Sequence, residues 1–398
     1  MTSKKILDLF AGAGGMSLGF EQAGFKVQAA IELDSWACDT MRLNNPDCNV
    51  VQRDVTSISD VEIKQLFGKF RLAGIVGGPP CQGFSHSNVT KRDPHDPRNS
   101  LFQHFARFIK VLHPDFFVME NVPGLLKTKL ADKRSAISVI LEEFESLRYH
   151  VAHSVLRAEE FGVPQIRERL FIVGVRNGKF ANPFPQRSHS SSDPSQSALF
   201  ADISLVSGPT LWDAISDLPP LDAGEGIDPS EYKDGAGTDY QREMRDRSTA
   251  VRNHIAMRHS RRVVERFKHI EIGQSQSDVA ECHAPRVRSK GELVSSKRYD
   301  QNNRRLSPDR PSHTIPASFY ANFVHPFQHR NFTPREGARI QSFPDWYVFC
   351  GKPTVVSQKL LSREGRSSEK HLCQYVQIGN AVPPKLAQAI AANIARQL

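Results

Sequence analysis

Short apolar runs and longer stretches of helical period alternate along the first 175 residues. Runs at 5–10, 27–31, 50–55, 73–76 and 116–119 are apolar or rich in β-branched side chains, whereas 101–112 and 136–147 space their apolar positions for one face of a helix. Strands alternating with helices predict an α/β fold with a Rossmann-like, mostly parallel sheet. Two further runs, 151–156 and 170–175, are separated by a loop too short to hold a crossover helix, so they are expected as an antiparallel pair at the sheet edge. After Arg176 the composition turns to Pro, Ser, Gly and Asp, with no strong period until an arginine-rich helix expected over 254–270. That change marks a domain boundary followed by a smaller, loop-rich domain. Residues 383–397 return to helical spacing through Leu386, Ile390 and Ile394, predicting an ordered terminal helix.

Composition narrows the function classes. The 398 residues are 39% hydrophobic with a mean hydropathy of −0.43, which fits two or three globular domains and excludes a disordered tail. No apolar run reaches the roughly 18 residues of a membrane span, and the first ten residues do not compose a signal peptide. A soluble, cytoplasmic protein is expected. Cys38, Cys48, Cys81, Cys282, Cys350 and Cys373 fall at irregular intervals with no C-x-x-C pair. This argues against a zinc module and a disulfide framework, and no metal is expected.

Charge adds a partner class. The net charge is +9, and residues 241–310 hold 17 basic against nine acidic side chains, a net of +8. Residues 181–240 hold two basic and ten acidic ones. The middle of the chain is therefore polarised, with one part suited to approach phosphates.

Candidate chemistry collects at the predicted strand ends. The first strand runs into Asp8-Leu9-Phe10-Ala11-Gly12-Ala13-Gly14-Gly15, a glycine-rich turn that lets a nucleotide-like cofactor approach backbone closely. Ser17 stands where a third glycine would complete G-x-G-x-x-G, which counts against a pyrophosphate-binding dehydrogenase. Glu32 closes the second strand, placed for ribose hydroxyls, and Asp54 closes the third, placed for a purine amino group. The fourth strand enters Gly77-Gly78-Pro79-Pro80-Cys81-Gln82-Gly83-Phe84-Ser85, whose glycines and prolines present Cys81 in the crevice instead of packing it beneath. Residues 86–99 have the composition of a polar lid that touches phosphates. Glu120, at the end of the fifth strand, would make a nucleophile and acid pair with Cys81 if desolvation keeps it protonated. Arg167 and Arg169, two residues apart, face one side and are able to engage a carbonyl and a phosphate.

In this order the motifs resemble those of the DNA (cytosine-5) methyltransferases. Phe-x-Gly-x-Gly, Pro-Pro-Cys-Gln-Gly-Phe-Ser, Glu-Asn-Val and Gln-x-Arg-x-Arg are followed by a Pro-Arg-Glu block at 333–344 and a Gly-Asn-Ala-Val block at 377–384. The resemblance implies that Cys81 adds to C6 of cytosine, that Glu120 protonates N3, and that Arg169, with Arg167 nearby, binds the C2 carbonyl. It implies S-adenosyl-L-methionine as methyl donor, with Phe10, Gly12, Gly14, Glu32, Asp54, Pro80 and Asn380 as cofactor-binding residues. Residues 1–180 and 377–398 would form the S-adenosylmethionine-binding catalytic domain, and 181–376 the target-recognition domain. Double-stranded DNA is the implied partner, its target cytosine flipped from the stack and its phosphates met by residues 241–310. Arg335 and Arg339 are expected to be structural, joining the two domains. A monomeric prokaryotic modification enzyme, with any cognate restriction endonuclease acting separately, fits the pattern. A transfer RNA (cytosine-5) methyltransferase sharing the same blocks is the alternative.

Overall fold

The computed structural model describes residues 4–80, 101–129, 133–176, 180–190, 205–286, 300–354, 358–367 and 371–398. Its elements begin with β1 (Lys5–Leu9), α1 (Gly15–Gln22), β2 (Lys26–Glu32), α2 (Ser35–Asn44), β3 (Asn49–Gln52), α3 (Asp60–Phe67) and β4 (Leu72–Gly77). They continue with α4 (Leu101–Leu112), β5 (Phe116–Asn121), α5 (Ala136–Ser146), β6 (His150–Arg157) and β7 (Glu168–Val175). The seven strands form one sheet in the order β3-β2-β1-β4-β5-β7-β6. The first five run parallel, and β7 pairs antiparallel with both β5 and β6. The expected α/β sheet with its antiparallel edge pair is therefore the observed one.

Neighbouring phenylalanines show how both faces of the sheet are filled, because successive strand residues point to opposite sides. Phe117 packs toward α5, 4.2 Å from the Phe144 ring, while Phe116 stacks on Phe20 of α1 at 6.3 Å. Each ring occupies space left by a glycine on the adjacent strand, Gly174 for Phe117 and Gly74 for Phe116. Ile63 and Phe67 of α3 and Phe105, Phe108 and Ile109 of α4 share the core with Phe117.

The chain divides into two compact units, Met1–Phe161 with Arg167–Ser188 and Val382–Leu398, and Gly162–Ile166 with His189–Ala381. The first holds the whole sheet and the terminal helix Pro384–Ala395. Short helices and loops build the second, and among its described residues a small ladder pairs Arg304–Arg305 with Phe323–Val324. No helix among the described residues is long and apolar enough to cross a membrane.

Two expectations are corrected in the second unit. The helix expected over 254–270 is confined to Arg261–Lys268. His254 is buried instead, with its ring nitrogens 2.9 Å from Thr333 Oγ1 and 2.8 Å from the Pro219 carbonyl, and these long-range bonds hold the preceding chain out of a helix. Arg335 and Arg339 are structural, but their described partners lie within this one unit. Arg335 donates to the carbonyls of Arg252, Pro344 and Tyr347, and Arg339 to the carboxylates of Asp217 and Asp345.

Candidate active site

The carboxyl ends of β1 and β2 are knitted together by backbone. Phe10 takes a left-handed φ of 57°, which costs a non-glycine residue about 1–2 kcal/mol, and Gly12 and Gly14 follow with φ of 54° and 76°. Gly14 N–H donates to the Ala11 carbonyl at 2.9 Å, closing the turn before α1. Gly12 N–H donates to Glu32 Oε2 at 2.8 Å, and Leu33 and Asp34 N–H both donate to Oε1 at 2.8 Å. Burial pushes the Glu32 carboxyl up, and these three donors oppose it. Oε2 accepts the Gly12 N–H, and a carboxylate oxygen has a second lone pair with which to accept a hydroxyl proton. Among the described residues nothing stands within 4 Å of where a Gly12 side chain would begin, leaving a cradle above the turn. These features fit a nucleoside-containing donor such as S-adenosylmethionine.

Ser17 explains the missing third glycine: its hydroxyl donates to the buried Asp8 carboxyl at 2.6 Å. Burial raises Asp8 to about 7, and the Ser17 bond partly offsets it. The i to i+9 separation hid this pair from sequence reading. Asp54 lies just beyond β3 and is exposed, with Oδ1 accepting Thr56 N–H at 2.8 Å.

A second cluster forms where β4, β5 and β7 end. Glu120 sits opposite Phe171 on β7, its carboxyl largely buried, and Arg169 Nε lies 2.8 Å from Oε1. Arg167 is fully buried, its own N–H bonded to Glu159 Oε2 at 3.3 Å, and Glu159 is held in turn by Arg157 Nε at 2.8 Å. Burial pushes the Glu120 carboxyl up, while Arg169 and then Arg167 pull it down without cancelling the rise. The structure thus brings Glu120, Arg167 and Arg169 together.

Two supporting residues escaped the sequence reading. Asn121 Nδ2 donates to the Pro79 carbonyl at 3.2 Å, fastening the turn after β4 to the end of β5. Gly78 lies against the Glu120 carboxyl. Pro80 is exposed at the end of this turn, and Cys81 and the lid at 86–99 lie outside the described residues. Among the other thiols, burial pushes Cys38 and Cys48 up to about 12, which leaves them poor nucleophiles at neutral pH.

Asn380 belongs to the second unit, exposed at the end of the helix Gln374–Asn380, which is anchored by Gln341 Nε2 on the Ile378 carbonyl at 2.8 Å. The basic stretch 241–310 needs correction as a phosphate-binding surface. Arg305 is buried and donates to the carbonyls of Phe267, Ile270, His325, Pro326 and Gln328. Arg266 is buried on the carbonyls of His283 and Ala284. These two charges satisfy internal backbone, whereas Arg242, Arg247, Arg252, Arg258, Arg261, Lys268 and Arg310 are exposed. Arg288, Lys290, Lys297 and Arg298 lie outside the described residues.

Comparison with known proteins agrees with this geometry. The family model for C-5 cytosine-specific DNA methylases matches residues 4–396. The Type II methyltransferase M.DdeI of Desulfomicrobium norvegicum is 46% identical over 389 residues, 98% of this chain and 88% of that protein. The Type II methyltransferase M1.HphI of Haemophilus parahaemolyticus is 35% identical over 98% of this chain and 86% of its own length. A solved structure from Escherichia coli, described as a prophage-encoded DNA modification methyltransferase, superposes with a TM-score of 0.71 at 26% identity, covering 99% of both chains.

Proposed function

Because the chain belongs to the family of C-5 cytosine-specific DNA methylases, we propose that Cys81, Glu120, Arg167 and Arg169 carry out its methylation of cytosine C5 in duplex DNA. S-adenosylmethionine, when bound, supplies a methyl group made electrophilic by its sulfonium. Phe10, Gly12, Gly14, Glu32, Asp54, Pro80 and Asn380 are the residues to hold it, with the second lone pair of Glu32 Oε2 turned to a ribose hydroxyl. The Cys81 thiolate adds to C6 of the flipped base, which makes C5 nucleophilic. Glu120 gives a proton to N3 as negative charge develops there, and Arg169, backed by Arg167, holds the O2 carbonyl. After methyl transfer a base takes the C5 proton, Cys81 leaves C6 as the thiolate, and N3 returns its proton to Glu120, leaving 5-methylcytosine and S-adenosylhomocysteine.

The observation that carries this assignment is a largely buried carboxyl on Glu120, 2.8 Å from the Arg169 guanidinium and against Gly78, three residues before Cys81. Residues 1–180 and 377–398 are assigned the donor and the chemistry, and residues 181–376 the reading of the target sequence. A separate restriction endonuclease cutting the same sequence when unmethylated is the fitting companion.

Bisulfite sequencing of DNA from cells expressing the protein tests the reading. The expected result is 5-methylcytosine at one fixed duplex sequence. Unmethylated DNA beside methylated transfer RNA would replace it with the RNA alternative.

The acid role also sets a pH dependence. Glu120 works while protonated and its carboxyl is raised by burial, so its contribution is full below the folded pKa and declines as pH rises through it. Glu120→Gln keeps the shape but has no proton to give. Single-turnover methylation should fall about 10²–10⁴-fold and lose that alkaline decline.

A further inference from the structure

Oε1 of Glu120 faces the Arg169 Nε at 2.8 Å. A guanidinium only donates, so Oε1 serves as its acceptor, and the more basic carbonyl-type oxygen is best placed there, with an acidic proton of Glu120 on Oε2. Oε2 leans on Gly78. A side-chain carbon at residue 78 would stand 2.9 Å from Oε2 and 4.0 Å from the Cβ and Cδ of Glu120, its nearest atoms among the described residues beyond its chain neighbours. Gly78 does not have the positive φ found at Gly12 and Gly14, so this position uses the absence of a side chain and not glycine's backbone freedom.

We infer that Gly78 is a positioning residue for the acid, keeping clear the volume in which the proton-bearing oxygen of Glu120 is aimed. This rests on the function proposed above and adds to it a residue and a choice between two oxygens. The turn cannot easily yield to relieve a clash. Gly77 is paired with Met119 in the sheet, and the Pro79 carbonyl is tied to Asn121. An added methyl group therefore displaces the movable partner, the Glu120 carboxyl, at little cost to the fold.

Gly78→Ala tests this. The variant should melt within a few degrees of wild type and bind S-adenosylmethionine and DNA with affinities changed less than about threefold, while single-turnover methylation falls about 100-fold, the scale of a misplaced general acid. In a Glu120→Ala background, which has no carboxyl to displace, the same substitution should cost nothing further. In the free protein, carbon-13 titration of the Glu120 carboxyl should move down toward an ordinary glutamate as the group turns from its buried position. Full activity of Gly78→Ala, equal fractional losses in both backgrounds, or an unmoved Glu120 titration would each overturn the inference. Wild-type protein without cytosine methylation overturns the proposed function, whereas an active wild type with an equally active Gly78→Ala overturns the role of Gly78 alone.

Discussion

The Cys81→Ser variant will fold, will bind S-adenosylmethionine and will transfer no detectable methyl group to DNA. Adding to C6 of cytosine requires a nucleophile that is anionic near neutral pH. A thiol of ordinary pKa, about 8.5, supplies a few per cent thiolate at pH 7, and a serine hydroxyl supplies essentially none. The fold should be indifferent to the change, since the turn that leads into residue 81 is held by the Asn121 bond to Pro79 and by the pairing of β4 with β5. Radiolabelled methyl transfer to duplex DNA measures the loss, and donor binding by calorimetry shows that the protein remains competent. Duplex DNA carrying 5-fluorocytosine at the target gives a sharper reading. With no C5 proton to remove, the adduct cannot break down, so wild type should migrate with DNA on a denaturing gel and Cys81→Ser should not. Full methyl transfer by this variant would falsify the covalent mechanism.

The largest expected effect on stability is at Arg339. Its guanidinium is fully buried and its five N–H donors are engaged: Nε and Nη2 on Asp345 at 2.7 Å each, Nη1 on Asp217 at 2.9 Å and on the Ala214 carbonyl at 2.8 Å, and Nη2 again on Asp217 at 3.3 Å. Arg339→Met leaves two buried carboxylates without this cation, and removing one partner of a buried pair costs about 3–5 kcal/mol. Against a usual total of about 5–15 kcal/mol, that is a large share. The denaturant midpoint should fall accordingly. Arg339→Lys should recover only part of the loss, because an ammonium group brings three donors to a site built for five. Burial alone would raise the Asp345 carboxyl, but Arg339 holds it below the ordinary range. Its share of wild-type stability is therefore present above the unfolded pKa of about 3.9 and is lost as pH falls through the lower folded value. A midpoint unchanged in Arg339→Met would show that the network contributes nothing net.

What could be read from residue order was local. The alternation of apolar runs and helical periods anticipated all seven strands: burial on both faces marks consecutive residues of the inner strands, whereas the half-buried edge strands β3 and β6 are legible from their valines. The turn at Phe10–Gly14 announced itself through glycines that take positive φ. Glu120 is legible as the end of the fifth strand and Arg169 as an arginine opening the last one, but their 2.8 Å contact comes from the pairing of β5 with β7. Ser17 was noticed only as a break in a pattern, since its partner Asp8 lies across the turn. Gly78 read as loop punctuation, because the volume it spares is filled by a side chain 42 positions away.

Residue order thus carried the fold class and the family, both of which depend on residue type and short spacing. Folding alone assigned each charge its task. Arg305 and Arg266 count equally with exposed arginines in any tally of net charge, yet inside the protein they satisfy carbonyls and have no reach toward phosphate. A carboxyl's acidity, likewise, is absent from its sequence position. It arises when packing strips water from Glu120 and sets two guanidiniums beside it, and desolvation and charge proximity are properties of three-dimensional neighbours.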